Sequence, residues 1–132
     1  MIPLQISFRH LQKSEAINEF VERRVLQLTR TTNRLVGCRV LLDAPHHSHH
    51  KGNHYQVRIE MSVPRRSIVI TRHPDKHVEH EDIYVALKDS FDAAARRLQD
   101  DLHRVRALKA RARRVEFPKP DETEDQFQTA VF

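Results

Sequence analysis

The chain has 132 residues, 39% hydrophobic and 31% charged, which suits about one domain with a modest core. No apolar run approaches the roughly 18 residues that cross a membrane, and the start, MIPLQISFRH, lacks the apolar centre of a signal peptide. A single cysteine, Cys38, excludes an internal disulfide, so an intracellular, cytoplasmic home is expected. The net charge of +5 hides a division. Residues 1–114 carry 22 bases and 13 acids, whereas residues 115–132 carry one base and five acids.

In chain order, Ile2 to Arg9 alternates Ile2, Leu4, Ile6 and Phe8 with polar neighbours and reads as a half-buried strand. Ser14 can cap a helix running to about Arg30, with Ile17, Phe20, Val21, Val25 and Leu28 on its apolar face. Val36 to Ala44 is a second strand with Cys38, Val40 and Leu42 in phase, and Leu41 breaks the alternation. Pro45 to Asn53 is a histidine-rich loop. His54 to Val63 is the clearest strand, with Tyr55, Val57, Ile59, Met61 and Val63 on one side. Pro64-Arg65 makes a hairpin turn into a short strand from Arg66 to Arg72.

The last regular element is the longest. From Asp82 to Arg114, apolar residues recur at Ile83, Leu87, Phe91, Ala94, Leu98, Leu102, Val105 and Leu108. Glu79, Glu81 and Asp82 crowd its start and arginines its end, as the helix dipole favours. Such a helix is about 46 Å long, against a width of about 36 Å for a compact chain of this size. Its arginine-rich end is therefore expected to project. The acidic segment 115–132 has no periodicity and reads as a disordered tail after a domain spanning 1–114.

The order β-α-β-β-β-α predicts an α+β fold. Strands 1 and 2 should be parallel through a right-handed crossover. Strands 2 to 4 should form an antiparallel meander, with both helices on one face of the four-stranded sheet. The other face would carry Gln5, Ser7, Arg9, Arg39, Asp43, Gln56 and Arg58.

Catalysis finds little support. Two glycines, Gly37 and Gly52, cannot build a phosphate-cradling loop, and Cys38 lies in a strand, where a small buried side chain is expected. The histidines His46, His47, His49 and His50 invite a metal-binding reading, but consecutive imidazoles on a loop do not define a tetrahedral site. A polar loop that gains charge below about pH 6.5, facing phosphates beside Lys51, is the plainer account. No cofactor is expected.

Arginine outnumbers lysine 17 to 6, and its planar fork suits phosphates. Arg106 to Arg114 holds five bases and no acid. Elsewhere some bases should pair with acids one turn away, such as Arg96 with Asp92. With few aromatics and no tryptophan, recognition of folded RNA by backbone and shape fits better than base stacking.

Three features together resemble the ribosome hibernation promoting factor family, which includes the ribosome-associated translation inhibitors once described as sigma-54 modulation proteins. They are the element order, the segment KGNHYQVRIEMSVPRRSIVITRHP and the helix start HEDIYVALKDSFDAAARRL. The resemblance spans about residues 2–110 and is most specific at Asp82-Ile83-Tyr84-Val85-Ala86-Leu87. It implies binding to the small ribosomal subunit and its rRNA in the decoding region, with mRNA and tRNA excluded under stress or in stationary phase. By position it places the basic helix surface on Arg23, Arg24, Lys88, Arg96 and Arg97, with Tyr84 a structural or contact residue. Adding the bases of the meander and of helix 2 extends the expected rRNA-binding set to Lys51, Arg58, Arg65, Arg66, Arg72 and Arg104. Two departures stand out: a longer histidine loop, and no dimerisation domain after the tail, which implies a short-form role. The readings left open are a histidine-based metal-binding protein and a general double-stranded-RNA module.

Overall fold

A computed structural model of the chain describes residues 2–44, 54–73 and 82–116, with side chains as far as residue 113. The histidine loop with His46, His47, His49, His50 and Lys51, the connection carrying Glu79 and Glu81, and the acidic tail from residue 117 lie outside the described residues. Six elements follow in the expected order: β1 (Leu4–Arg9), α1 (Glu15–Thr31), β2 (Gly37–Asp43), β3 (Gln56–Val63), β4 (Arg66–Arg72) and α2 (Ile83–Glu116). The chain divides into two compact units, Met1–Gln99 and Asp100–Phe132.

The sheet has the order β1-β2-β3-β4. β1 and β2 are parallel, with Leu4 opposite Cys38 and Phe8 opposite Leu42. β2 and β3 are antiparallel, with Val40 opposite Ile59, and β3 and β4 likewise, with Ile59 opposite Ile70. This register puts the alternating apolar residues of all four strands on one face, because side chains alternate along a strand. Val40, Leu42, Val57, Ile59 and Met61 are completely buried there.

Helix α1 starts where Ser14 accepts a hydrogen bond from the amide of Ile17 through its hydroxyl (3.3 Å). It buries Ile17, Val21, Val25 and Leu28. Helix α2 starts after Asp82, whose carboxylate accepts from the amide of Tyr84 at 2.9 Å, so Asp82 caps the helix rather than occupying its first turn. Ala86, Leu87, Phe91, Ala94 and Leu98 join the same core as α1 and the sheet. Full burial of each large apolar side chain contributes about 1.5–3 kcal/mol.

The apolar stripe of α2 differs from the expected one toward its C-terminal half. Ser90 is 1% exposed and donates its hydroxyl to the carbonyl of Ala86 at 2.8 Å, which satisfies a polar group in the stripe. Beyond Leu98, Asp101 is buried and accepts from Arg104 at 3.2 Å, whereas Leu102 and Val105 are half-buried and Leu108 is exposed.

Two residues other than glycine take left-handed backbone. His10, with φ 61°, follows β1, and Arg65, with φ 74°, closes the Pro64-Arg65 turn between β3 and β4. Proline fixes the φ of the first turn residue, and a type II turn then asks positive φ of the second, a place usually filled by glycine or asparagine.

Candidate nucleic-acid interface

The interface begins with the pairing of α1 and α2. Arg24, four residues after the half-buried Phe20, donates to Asp92 Oδ1 at 2.8 Å. Lys88 donates to Asp92 Oδ2 at 3.1 Å from one turn back on α2. The Arg24 guanidinium also lies 5.9 Å from the centre of the Phe91 ring, within cation–π range. The Arg24 hydrogen bond first, and then that of Lys88, hold the Asp92 carboxyl below its usual value. Asp92 thus pairs with Arg24 and Lys88, not with Arg96 as spacing alone suggested.

One turn toward the start of α2, Tyr84 stacks edge-on against Phe20, with ring centroids 5.3 Å apart at 71°. It remains exposed at its rim. Tyr84 therefore fastens α2 to α1 and also presents part of its ring to solvent.

Arg23 and Arg96 are exposed, with no ion pair to any described residue. Lys88, Asp92 and Arg96 follow one another at i, i+4 spacing and so share a flank of α2. Arg24 and Lys88 both pair with Asp92, while the exposed Asp89, seven residues before Arg96, shares its side of the helix, so this flank carries charges of both signs. Arg97 is also exposed, but it lies about 100° around the helix from Arg96. Arg104 is half-exposed and bound to Asp101.

The other expected contacts lie elsewhere. Arg58 stands on the open sheet face, in a depression of about 450 Å³ lined also by Arg9, Arg39, Leu41, Asp43, Gln56 and Glu60. On that face Arg39 pairs with Glu60 at 3.3 Å, and Asp43 accepts from His10 at 2.9 Å with Arg9 at 4.0 Å. The half-exposed Leu41 that broke the alternation is part of its lining. Arg65 and Arg66 are exposed at the β3–β4 turn, and Arg72 is half-buried opposite Val57 at the far end of β4. The expected set is therefore several surfaces rather than one.

Cys38 is buried and free, and burial pushes its thiol up to about 11, which leaves it inert at neutral pH. Among the described residues no group of three or more His, Cys, Asp or Glu is placed to hold a metal ion, and no helix is long and apolar enough to cross a membrane.

A small mixed sheet covered on one face by two helices, with bases exposed along those helices, defines an α+β module of basic surface. The chain belongs to the Sigma 54 modulation protein / S30EA ribosomal protein family, which matches residues 4–106. It is 26% identical over 120 residues to a ribosome hibernation promotion factor of Deinococcus radiodurans, covering 91% of this chain and 59% of that protein. The chain thus spans less than two thirds of that relative's length. The fold is shared with the N-terminal domain of Thermus thermophilus Protein Y (TM-score 0.59, 18% identity, 76% of this chain and 98% of that one). It is also shared with a ribosomal subunit interface protein from Coxiella burnetii (TM-score 0.55, 14% identity, 80% and 99%).

Proposed function

We propose that this chain is a non-enzymatic, cytoplasmic hibernation factor that binds the small ribosomal subunit near the decoding centre and blocks mRNA and tRNA. The family match over residues 4–106 carries this reading. The chemistry of the helices supports it, since Arg23 on α1 and Arg96 on α2 are exposed cations with no ion pair to a described residue, and a guanidinium suits phosphate.

The inhibition is steric. A rigid module held by arginine contacts to rRNA fills space that mRNA and the anticodon ends of tRNA need, and no bond is made or broken. Binding releases counterions from the RNA, so affinity falls as salt rises. Titrating purified small subunits with the chain at several salt concentrations tests this. The reading expects saturable binding with a steep negative log–log salt slope. Binding no tighter than to bulk duplex RNA would favour a general RNA module instead.

A further inference from the structure

The sheet leaves two strands with one unpaired side, β1 and β4. On β4 the outward backbone groups follow from the hairpin. Its two-residue turn closes at the Val63–Arg66 pair, and hydrogen-bonded pairs alternate along an antiparallel ladder. Arg66, Ile68, Ile70 and Arg72 therefore turn their amides and carbonyls toward β3, and Ser67, Val69 and Thr71 turn theirs away. The Ser62 carbonyl accepts from Val36 on the β2 side at 2.8 Å, in keeping with this alternation. Among the described residues nothing bonds to the outward groups of Ser67, Val69 and Thr71.

Folded proteins guard such edges with charge, proline or a bulge. β4 has none of these between its ends. Its register with β3 is unbroken, and Ser67-Ile68-Val69-Ile70-Thr71 is uncharged and, Ser67 apart, β-branched. The segment also reads nearly the same in both directions: about Val69, Ser67 mirrors Thr71 and Ile68 mirrors Ile70. β1 lacks this symmetry, since about Ile6 it would match Leu4 with Phe8 and Gln5 with Ser7. Val69, opposite Glu60 on the open face, and Ile70 on the apolar face are only half-buried, so both have apolar surface left to cover.

We propose that the outer edge of β4 is a self-association surface whose partner is a second copy of this chain, paired antiparallel about Val69. The proposal goes beyond ribosome binding and does not depend on it. Two four-stranded sheets then join into one of eight, with Val69 of the two copies side by side and Ile68 of each beside Ile70 of the other. Such a two-fold contact closes at two chains. At each end Arg66 faces Arg72 of the other copy. Both arginines already interact within their own chain, and like charges placed opposite weaken a strand pair. A strand edge is also a small interface. The dimer is therefore weak and reversible, and it tightens as salt screens the arginines.

The test is sedimentation equilibrium of the nuclease-treated full chain, from about 1 μM to about 1 mM protein and about 50 to about 500 mM salt. The proposal expects a monomer–dimer equilibrium that holds or tightens with salt, whereas a pair bridged by RNA comes apart. Val69→Lys and Val69→Glu should each weaken association at least about tenfold. An equimolar mixture of the two should restore it, because a two-fold centred on Val69 sets lysine against glutamate. Thr71→Pro, which deletes one outward amide and no bond to β3, should weaken association too. The Tm of each variant is measured alongside, and if the Val69 variants lose stability, Thr71→Pro decides. A monomer at every concentration, a dimer that salt dissolves, or an unchanged dimer in any of the three variants would overturn the proposal. So would folded Val69→Lys and Val69→Glu chains that fail to associate on mixing.

Discussion

Arg24 on α1 donates to Asp92 on α2 at 2.8 Å, an ion pair between residues 68 positions apart in sequence. It joins the two helices whose outer flank carries the exposed bases. Because Arg24 is only 21% exposed and lies over Phe91, its stem packs as well as its charge. Arg24→Ala should therefore cost about 1–2 kcal/mol, more than a solvated surface pair would, and urea unfolding measures it.

The same pair makes a pH prediction. The Asp92 carboxyl is held below its ordinary 3.8 by the Arg24 and Lys88 hydrogen bonds. A carboxyl with a lowered folded pKa adds stability that is complete above its unfolded pKa and fades as pH falls through the folded value. The Tm gap between wild type and Asp92→Asn should accordingly be constant near about pH 6 and narrow below about pH 4. A gap that does not change down to about pH 3 would remove Asp92 as the source.

Phe91 is completely buried where α1, α2 and the sheet meet. Phe91→Ala should destabilise by about 3–5 kcal/mol through lost burial and a residual cavity. Phe91→Leu, closer in volume, should cost less. Calorimetry of the two variants checks the ranking.

The Cys38 thiol, raised to about 11 by burial, should resist a thiol reagent at neutral pH in the folded chain and react at once in denaturant. Prompt labelling of the native chain would mean that β2 opens readily.

Arg96 and Arg97 are exposed, so Arg96→Glu with Arg97→Glu should leave folding within about 0.5 kcal/mol of wild type. If both touch phosphate, the log–log salt slope for subunit binding should fall by about 2 and affinity by about a hundredfold. The side chains diverge around the helix, so each single variant shows which side faces RNA. Full affinity in the double variant would move the interface off this part of α2.

Much of this architecture was legible beforehand, and particular residues show why. The alternation of Val57, Ile59, Met61 and Val63 is a local signal of period two, and it located β3 and the buried face together. Ser14 announced the start of α1 through its side chain alone. The misses are relations between distant residues. Local spacing offered Arg96 as the partner of Asp92, whereas the fold supplies Arg24 from another helix. Periodicity placed Leu102, Val105 and Leu108 on the apolar stripe, yet Asp101 is buried and Leu108 exposed. The positive φ of Arg65 was equally hidden. Pro64 announces a turn but not its type, and arginine is not the residue that usually marks this one. For the same reason the basic residues could be counted from sequence but not sorted into surfaces.

The central claim is that the chain and the decoding ligands compete for one place on the small subunit. Small subunits carrying labelled mRNA and tRNA can be mixed with excess chain and separated on a sucrose gradient. The account predicts that the chain sediments with the subunit while mRNA and tRNA move to the top of the gradient. Finding chain, mRNA and tRNA together on the same subunits, or the chain left at the top, would contradict it.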